Sequence, residues 1–250
     1  MGVFFAPYFL FKIKIYLRFM HKIYAQLPSS GSLILSEEES KHLCKVMRKT
    51  VGDRVLILDG KGKKATAKIS IAHAKKAEVS ILEIETTGRR SSIELNIAIA
   101  PTKNLNRIEY FVEKATEIGI DFIQPILCVQ SERKVLKTDR LEKIAIAAMK
   151  QSGQVFLPKI AELLPVMEFV KNNPNGLIAY CPDHLTNPQL LNEVKNRDSI
   201  AILIGPEGDF TQEEVNFALE NGYKTVSLGK SILRTETAGV YATTLISTLD

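Results

Sequence analysis

The chain has 250 residues, 45% hydrophobic and 24% charged, which provides ample apolar material for one large globular domain or two modest ones. Its three cysteines, Cys44, Cys128 and Cys181, are widely separated and form neither a zinc spacing nor a disulfide framework; a reducing, cytoplasmic setting and no metal site are expected. The net charge of +5 is uneven: residues 20–90 carry 14 basic and 8 acidic side chains, residues 91–250 carry 16 and 20, so the front half suits a polyanion.

Residues 1–19, MGVFFAPYFLFKIKIYLRF, come first. The apolar run 2–11 is too short to span a bilayer, and Lys12 and Lys14 interrupt it. A signal peptide places its positive charge before the apolar run, and here it follows. An extension outside the fold is expected, with the domain opening near Met20 and no membrane association.

From Ile23 to Glu85 the pattern is short and strand-like. RVLILDG (54–60), KATAKISIA (64–72) and AEVSILEIE (77–85) set apolar residues at alternate or adjacent positions, broken by Asp-Gly and Gly-Lys-Gly. This predicts a small β-barrel. SEEESKHLCKVMRKTVGD (36–53) predicts a helix: Ser36 and Glu39 match a capping box, and Leu43, Val46 and Met47 form one apolar stripe. The polar, turn-rich TTGRRSS (86–92) places the domain boundary near residue 90.

After it the rhythm changes. Strands are expected at 93–100, 122–128, 176–181, 199–205 and 225–229, and helices at 106–120, 139–153, 211–222 and 237–249. Strands alternating with helices predict an α/β domain with a mainly parallel sheet covered on both faces. Ligands of such sheets lie beyond the carboxyl ends of the strands. Two glycine turns occupy that position, Gly205-Pro206-Glu207-Gly208 and Leu228-Gly229, the second followed by SILRTETA (231–238). Thr211 and Glu214 fit a capping box, so the first turn feeds a helix N-terminus. Each turn alone is equally an ordinary strand-to-helix connection. Neither G-x-G-x-x-G nor G-x-x-x-x-G-K-[ST] is present, which removes the main support for a Rossmann dehydrogenase or a P-loop NTPase. Arg234 and Glu236, either side of Thr235, read on residue chemistry alone as a surface ion pair or as a carboxylate complementing a helix dipole.

The stretches LIGPEGDFTQEEV, LGKSILRTETAGVYA, KNLNRIEYFVEKATEIGI, AAMKQSGQVFLPKI and HLCKVMRKTVGDRVLILDGKG together resemble the ribosomal RNA small subunit methyltransferase E family, 16S rRNA uridine-N3 methyltransferases of the SPOUT class. The resemblance runs from about Met20 to the C-terminus. It implies a PUA-like RNA-binding barrel over 20–90 and a SPOUT methyltransferase domain with a C-terminal trefoil knot over 91–250. It also implies a homodimer, 16S rRNA of the small ribosomal subunit as substrate, and S-adenosylmethionine as cofactor. The cofactor residues carried over are Ala179, Tyr180, Ile204, Gly205, Pro206, Glu207, Gly208, Leu228, Gly229, Ile232, Leu233, Thr237 and Ala238. Arg234 and Glu236 become the catalytic candidates: Arg234 to stabilise charge on a uracil carbonyl oxygen, Glu236 to orient Arg234 or contact the methyl donor. Lys41, His42, Lys45, Arg48, Lys49, Lys61, Lys63 and Lys64 become candidate phosphate contacts; otherwise they are a solvated basic face. The chain departs from the family at Asp209, where glycine is common, and at Lys150 and Gln154, where Glu and Arg are frequent. His184 is the back half's lone histidine and lies outside these motifs, so no general base is assigned. Two alternatives remain: another RNA target of the same chemistry, or an RNA-binding protein without catalysis.

Overall fold

A computed structural model describes residues 20–249 apart from Ser30, Arg90, Asp183, His184 and Asn196. The expectations for residues 1–19 and for His184 lie outside the described residues. No helix among those described is long and apolar enough to cross a membrane. The described residues divide into two compact units, 20–88 with 149–156, and 89–148 with 157–249.

The first unit is built on a five-stranded sheet. Strands β1 (His21–Tyr24), β2 (Ser32–Ile34), β3 (Arg54–Leu58), β4 (Lys63–Ile71) and β5 (Glu78–Thr86) pair in the order β1-β3-β4-β5-β2. Only β1 with β3 is parallel. Alternate residues point inward: Val55 and Ile57, Ala65, Ala67 and Ile69 join Ile23, Leu43 and Val79 in one core. Gly62 has φ +96°, and a Cβ there would strike the Phe156 ring 2.6 Å away, so glycine is required on both counts.

The expected helix from Ser36 is shorter and more irregular than its sequence suggests. Helix α1 (Glu37–Lys41) gives way to a π-helical turn, His42–Val46, closed by the Met47 N–H donating to the His42 carbonyl at 2.9 Å. The wider turn breaks the 3.6-residue phase. Leu43 is buried, but Val46 and Met47 are 63% and 42% exposed, so the predicted three-residue stripe does not exist. The capping box is also half made. The Ser36 hydroxyl accepts from the Glu39 N–H, but the Glu39 carboxylate turns away and accepts from Lys150 Nζ at 2.6 Å.

The second unit follows the α/β expectation. Strands β6 (Glu94–Ile99), β7 (Phe122–Leu127), β8 (Lys159–Ile160), β9 (Leu164–Pro165), β10 (Leu177–Ala179), β11 (Ser199–Ile204) and β12 (Lys224–Val226) are joined by helices α2 (Leu105–Ile118), α3 (Thr138–Ser152, whose last turn from Met149 belongs to the first unit), α4 (Val166–Asn172), α5 (Leu190–Glu193), α6 (Gln212–Glu220) and α7 (Thr235–Ser247). The sheet order is β12-β10-β11-β6-β7-β8, with β9 also on β7, and every pairing is parallel. The central strands are apolar on both faces. Ile97, Ile99, Ile202 and Ile204 pack with Phe111 of α2 and Ala242 of α7 on one side. Ala98, Leu203 and Ile178 pack with Phe169 of α4 and Val215 of α6 on the other. This is why these strands read as continuous apolar runs rather than as alternation.

Helix ends match their sequence signals. Gly119, at φ 113°, stops α2 in the left-handed region. Thr211 and Glu214 form the complete reciprocal box at the start of α6. Gly239 in α7 serves packing instead: a Cβ there would sit 2.6 Å from the Phe111 ring and 3.1 Å from Ile99, so it sets how closely α7 lies on α2 and the sheet.

Candidate functional site

Parallel pairing brings three strand ends together. Ala179, the last residue of β10, lies in register with Ile204 of β11 on one side and Val226 of β12 on the other. The loops that leave these ends surround one concave pocket, the position where parallel α/β sheets take their ligands. Its wall takes Ala179, Tyr180 and Cys181 from the first loop, and Ile204, Gly205, Pro206 and Asp209 from the second. Val226, Leu228, Gly229, Ser231, Ile232 and Leu233 come from the third, with Thr235 and Ala238 from the start of α7.

Specific bonds hold these loops against one another. The Thr235 hydroxyl donates to the Gly205 carbonyl at 3.0 Å, joining the second loop to α7. Asp209 stands at φ 65°, a left-handed position where Asp is one of the few non-glycine residues at ease. Its carboxylate accepts from the Phe210 N–H at 2.8 Å and the Cys181 N–H at 3.1 Å, which ties the second loop to the first. Burial holds the Asp209 carboxyl above the usual carboxylate range, against the two backbone N–H groups that lower it. Burial, followed by the charge of Asp209, pushes the Cys181 thiol up to about 11. Cys181 therefore presents a neutral thiol to the cavity at physiological pH.

Glycine matters at two points of the lining. Gly229 has φ +122° and open space where a Cβ would stand, so backbone faces the cavity there. A Cβ on Gly205 would crowd Phe210 at 3.1 Å and Asp209 at 3.2 Å. Gly208 is off the wall, where a Cβ would collide with the Gln130 amide.

Ten of the thirteen expected cofactor residues line this one cavity: Ala179, Tyr180, Ile204, Gly205, Pro206, Leu228, Gly229, Ile232, Leu233 and Ala238. Glu207, Gly208 and Thr237 do not. Cys181, Asp209, Val226, Ser231 and Thr235 line it without having been expected. Asp209 had a signal in the sequence, a non-glycine residue in a glycine-rich turn; the others depend on strand order.

The two catalytic candidates do not pair with each other. Arg234 is the exposed N-cap residue of α7 and makes no ion pair among the described residues. Glu236 instead faces Arg107 of α2, with Oε1 at 3.8 Å from Nε, and the same guanidinium lies 3.6 Å from Glu207. Glu236 Oε2 is buried without a hydrogen-bond partner. The expected orientation of Arg234 by Glu236 is thus replaced by a Glu207–Arg107–Glu236 arrangement. Sequence reading missed Arg107 because its role depends on α2 packing beside α7.

In the first unit, Lys41, Lys45, Arg48, Lys61 and Lys63 are exposed, whereas His42, Lys49 and Lys64 are half-buried. Arg48 adopts φ 51°, and Lys64 is paired with Glu85 at 3.0 Å. That ion pair already engages the Lys64 ammonium.

Comparison with known proteins gives this geometry its family. An RNA methyltransferase domain matches residues 89–247, and an RNA methyltransferase PUA domain matches residues 35–82. The ribosomal RNA small subunit methyltransferase E of Synechocystis sp. is 31% identical over 230 residues, covering 88% of this chain and 74% of that protein. The crystal structure of a probable rRNA-methyltransferase from Porphyromonas gingivalis superposes with a TM-score of 0.82 at 37% identity, over 92% of this chain and 98% of the other. The ribosomal RNA small subunit methyltransferase E of Neisseria gonorrhoeae, solved with S-adenosyl methionine bound, gives 0.81 at 27% identity with the same coverage. The chain belongs to the RNA methyltransferases, and among them to the ribosomal RNA small subunit methyltransferase E family.

Proposed function

We propose that the protein is an S-adenosylmethionine-dependent methyltransferase acting on N3 of one specific uridine in 16S rRNA of the small ribosomal subunit. The observation that carries this reading is one cavity formed where β10, β11 and β12 end, whose fifteen lining residues include ten of the thirteen expected cofactor residues, drawn from the end of β10, two glycine turns and the start of α7. The cavity suits the cofactor in kind: apolar side chains such as Ile204 and Leu228 stand beside polar groups such as Ser231 and Thr235, and Gly229 presents backbone without a Cβ. In this reading residues 20–90 are a PUA-like RNA-binding barrel and residues 91–250 the catalytic domain. The loops at Gly205–Gly208 and Leu228–Ala238 belong to a SPOUT trefoil knot, and the enzyme works as a homodimer. The relatives' names and the cofactor-bound neighbour support the substrate class and the cofactor by analogy.

S-adenosylmethionine supplies an electrophilic methyl group and an adjacent positive charge. The protein's residues must remove the N3 proton and hold the uracil edge in line with that methyl. Arg234 is exposed between Leu233 and Thr235 of the cavity lining and makes no ion pair among the described residues, which supports a role in stabilising negative charge on a uracil carbonyl oxygen as N3 loses its proton. Glu236 is held by Arg107 at the start of α7, next to Thr235 on the cavity wall, which suits a positioning role beside the methyl donor. The proton leaves to water or to a carboxylate.

Arg234→Ala tests the assignment. Methyl transfer should fall by roughly 100-fold or more, as on removal of a charge-stabilising donor, while the Kd for S-adenosylmethionine stays within about threefold. Parallel losses in both would move Arg234 from catalysis to cofactor binding.

A further inference from the structure

Among the described residues, six buried side-chain nitrogen or oxygen atoms have no hydrogen-bond partner, and three of the six are neighbours: His21 Nε2, Glu39 Oε2 and His42 Nδ1. Orphaned buried polar atoms are uncommon and forfeit their hydrogen bonds to water without return. Three in one place, on two imidazoles and a carboxylate, are the chemistry of a metal site. One ligand atom from each residue lies within 4.8 Å of the other two.

We propose that His21, Glu39 and His42 bind one divalent transition-metal ion of the zinc type, at a site in the first unit that is separate from the methyl-transfer cavity. This goes against the expectation of no metal. The sequence concealed the site because its ligands come from β1 and from the junction of α1 with the π turn, with no histidine or cysteine spacing to mark it. Glu39 and His42 are three residues apart, so they share a helical face. The failure of the Ser36 capping box is what frees the Glu39 side chain to point inward.

Lys150 bears on this reading most directly. Its Nζ lies 2.6 Å from Glu39 Oε1 and leaves Oε2 bare. The ammonium engages only one carboxylate oxygen, so the other stays available to a metal ion, and the lysine's charge competes with that ion rather than supporting it. The lysine alone does not account for the cluster, because both imidazole nitrogens stay unpaired with Lys150 in place. The two rings lie 5.1 Å apart, and both line a surface pocket together with Met20, Met47 and Lys49, which gives an ion a way in and leaves the fourth position to water. Tetrahedral zinc holds ligand atoms roughly 3.4 Å apart, given bonds of about 2.1 Å. Binding therefore draws the triad inward by side-chain rotation and fastens α1 to β1.

The test uses the full-length protein, stripped by a chelator and titrated with Zn²⁺, with Co²⁺ as a spectroscopic probe. One ion per chain should bind, Co²⁺ should give the intense visible bands of a four-coordinate site, and Tm should rise with Zn²⁺ concentration. Glu39→Gln and His42→Ala should each weaken binding at least tenfold and abolish the Tm rise. Lys150→Met should keep or tighten it, because a competing positive charge is removed. If Glu39→Gln fails to fold, His21→Asn carries the same expectation. No uptake by the wild-type chain, or equal uptake by all the variants, would overturn the site. So would loss of binding on Lys150→Met in a chain that still unfolds cooperatively.

Discussion

At the residue scale, Asp209 links most of the site's parts. It occupies a left-handed turn position, ties two cavity loops through the Cys181 and Phe210 N–H groups, and adds its charge to the burial that keeps the Cys181 thiol neutral. Cys181 should therefore be alkylated slowly at pH 7 and about tenfold faster per pH unit up to about 11. S-adenosylmethionine should slow the reaction further, since the thiol lines the cavity. Labelling followed by mass spectrometry checks both; rapid labelling at pH 7, or none of the expected protection, would contradict the placement. Asp209→Gly should be accepted by the backbone at φ 65° but should lose the bond to Cys181, weakening cofactor binding more than it lowers Tm. Isothermal titration beside a thermal melt separates the two effects. That Asp209 stands in a glycine turn was legible in sequence. That its carboxylate reaches back to Cys181, in the loop after β10, was not, because the two are 28 residues apart and meet only through strand pairing.

At the element scale, strand existence and helix ends were legible because they depend on local signals: apolar runs, Gly119 at a left-handed stop, Thr211 with Glu214 at a cap. The same local rules failed at Ser36–Met47. There a π turn changed the phase of the stripe, and an ion pair with Lys150 outcompeted the second half of the capping box. Short strands such as β8 and β9 lack a periodic signature and exist through their pairing with β7. Gly239 lies in the stretch LGKSILRTETAGVYA, but its reason is packing. Gly239→Ala places a methyl group against Phe111 and Ile99, so it should cost about 1–3 kcal/mol of stability and lower Tm without changing the cavity's lining residues. Chemical denaturation measures it, and an unchanged midpoint would mean that α7 has slack against α2.

At the scale of the whole molecule, charge separates the two halves of the chain. Residues 20–90 carry a surplus of basic side chains and residues 91–250 a surplus of acidic ones. Phosphate contacts by the first unit should make RNA binding fall steeply with salt. Replacing both Arg48 and Lys49 by Ala should weaken RNA binding and reduce the salt slope by roughly one for each phosphate no longer neutralised. Filter binding across a salt series reads this, and an unchanged slope would return those residues to a solvated face. The order of strands in the sheet was beyond the reach of periodicity, since apolar runs record burial but not neighbours. The cavity exists because that order puts β10 between β11 and β12.

The central claim is the reaction itself. Purified small ribosomal subunits lacking the modification are incubated with the protein and labelled S-adenosylmethionine beside a tRNA control, and the 16S rRNA is digested to nucleosides for mass spectrometry. N3-methyluridine from the small-subunit RNA, with tRNA unlabelled, is the expected product; a different methylated nucleoside, label in tRNA alone, or no transfer by a protein that binds the cofactor would contradict it.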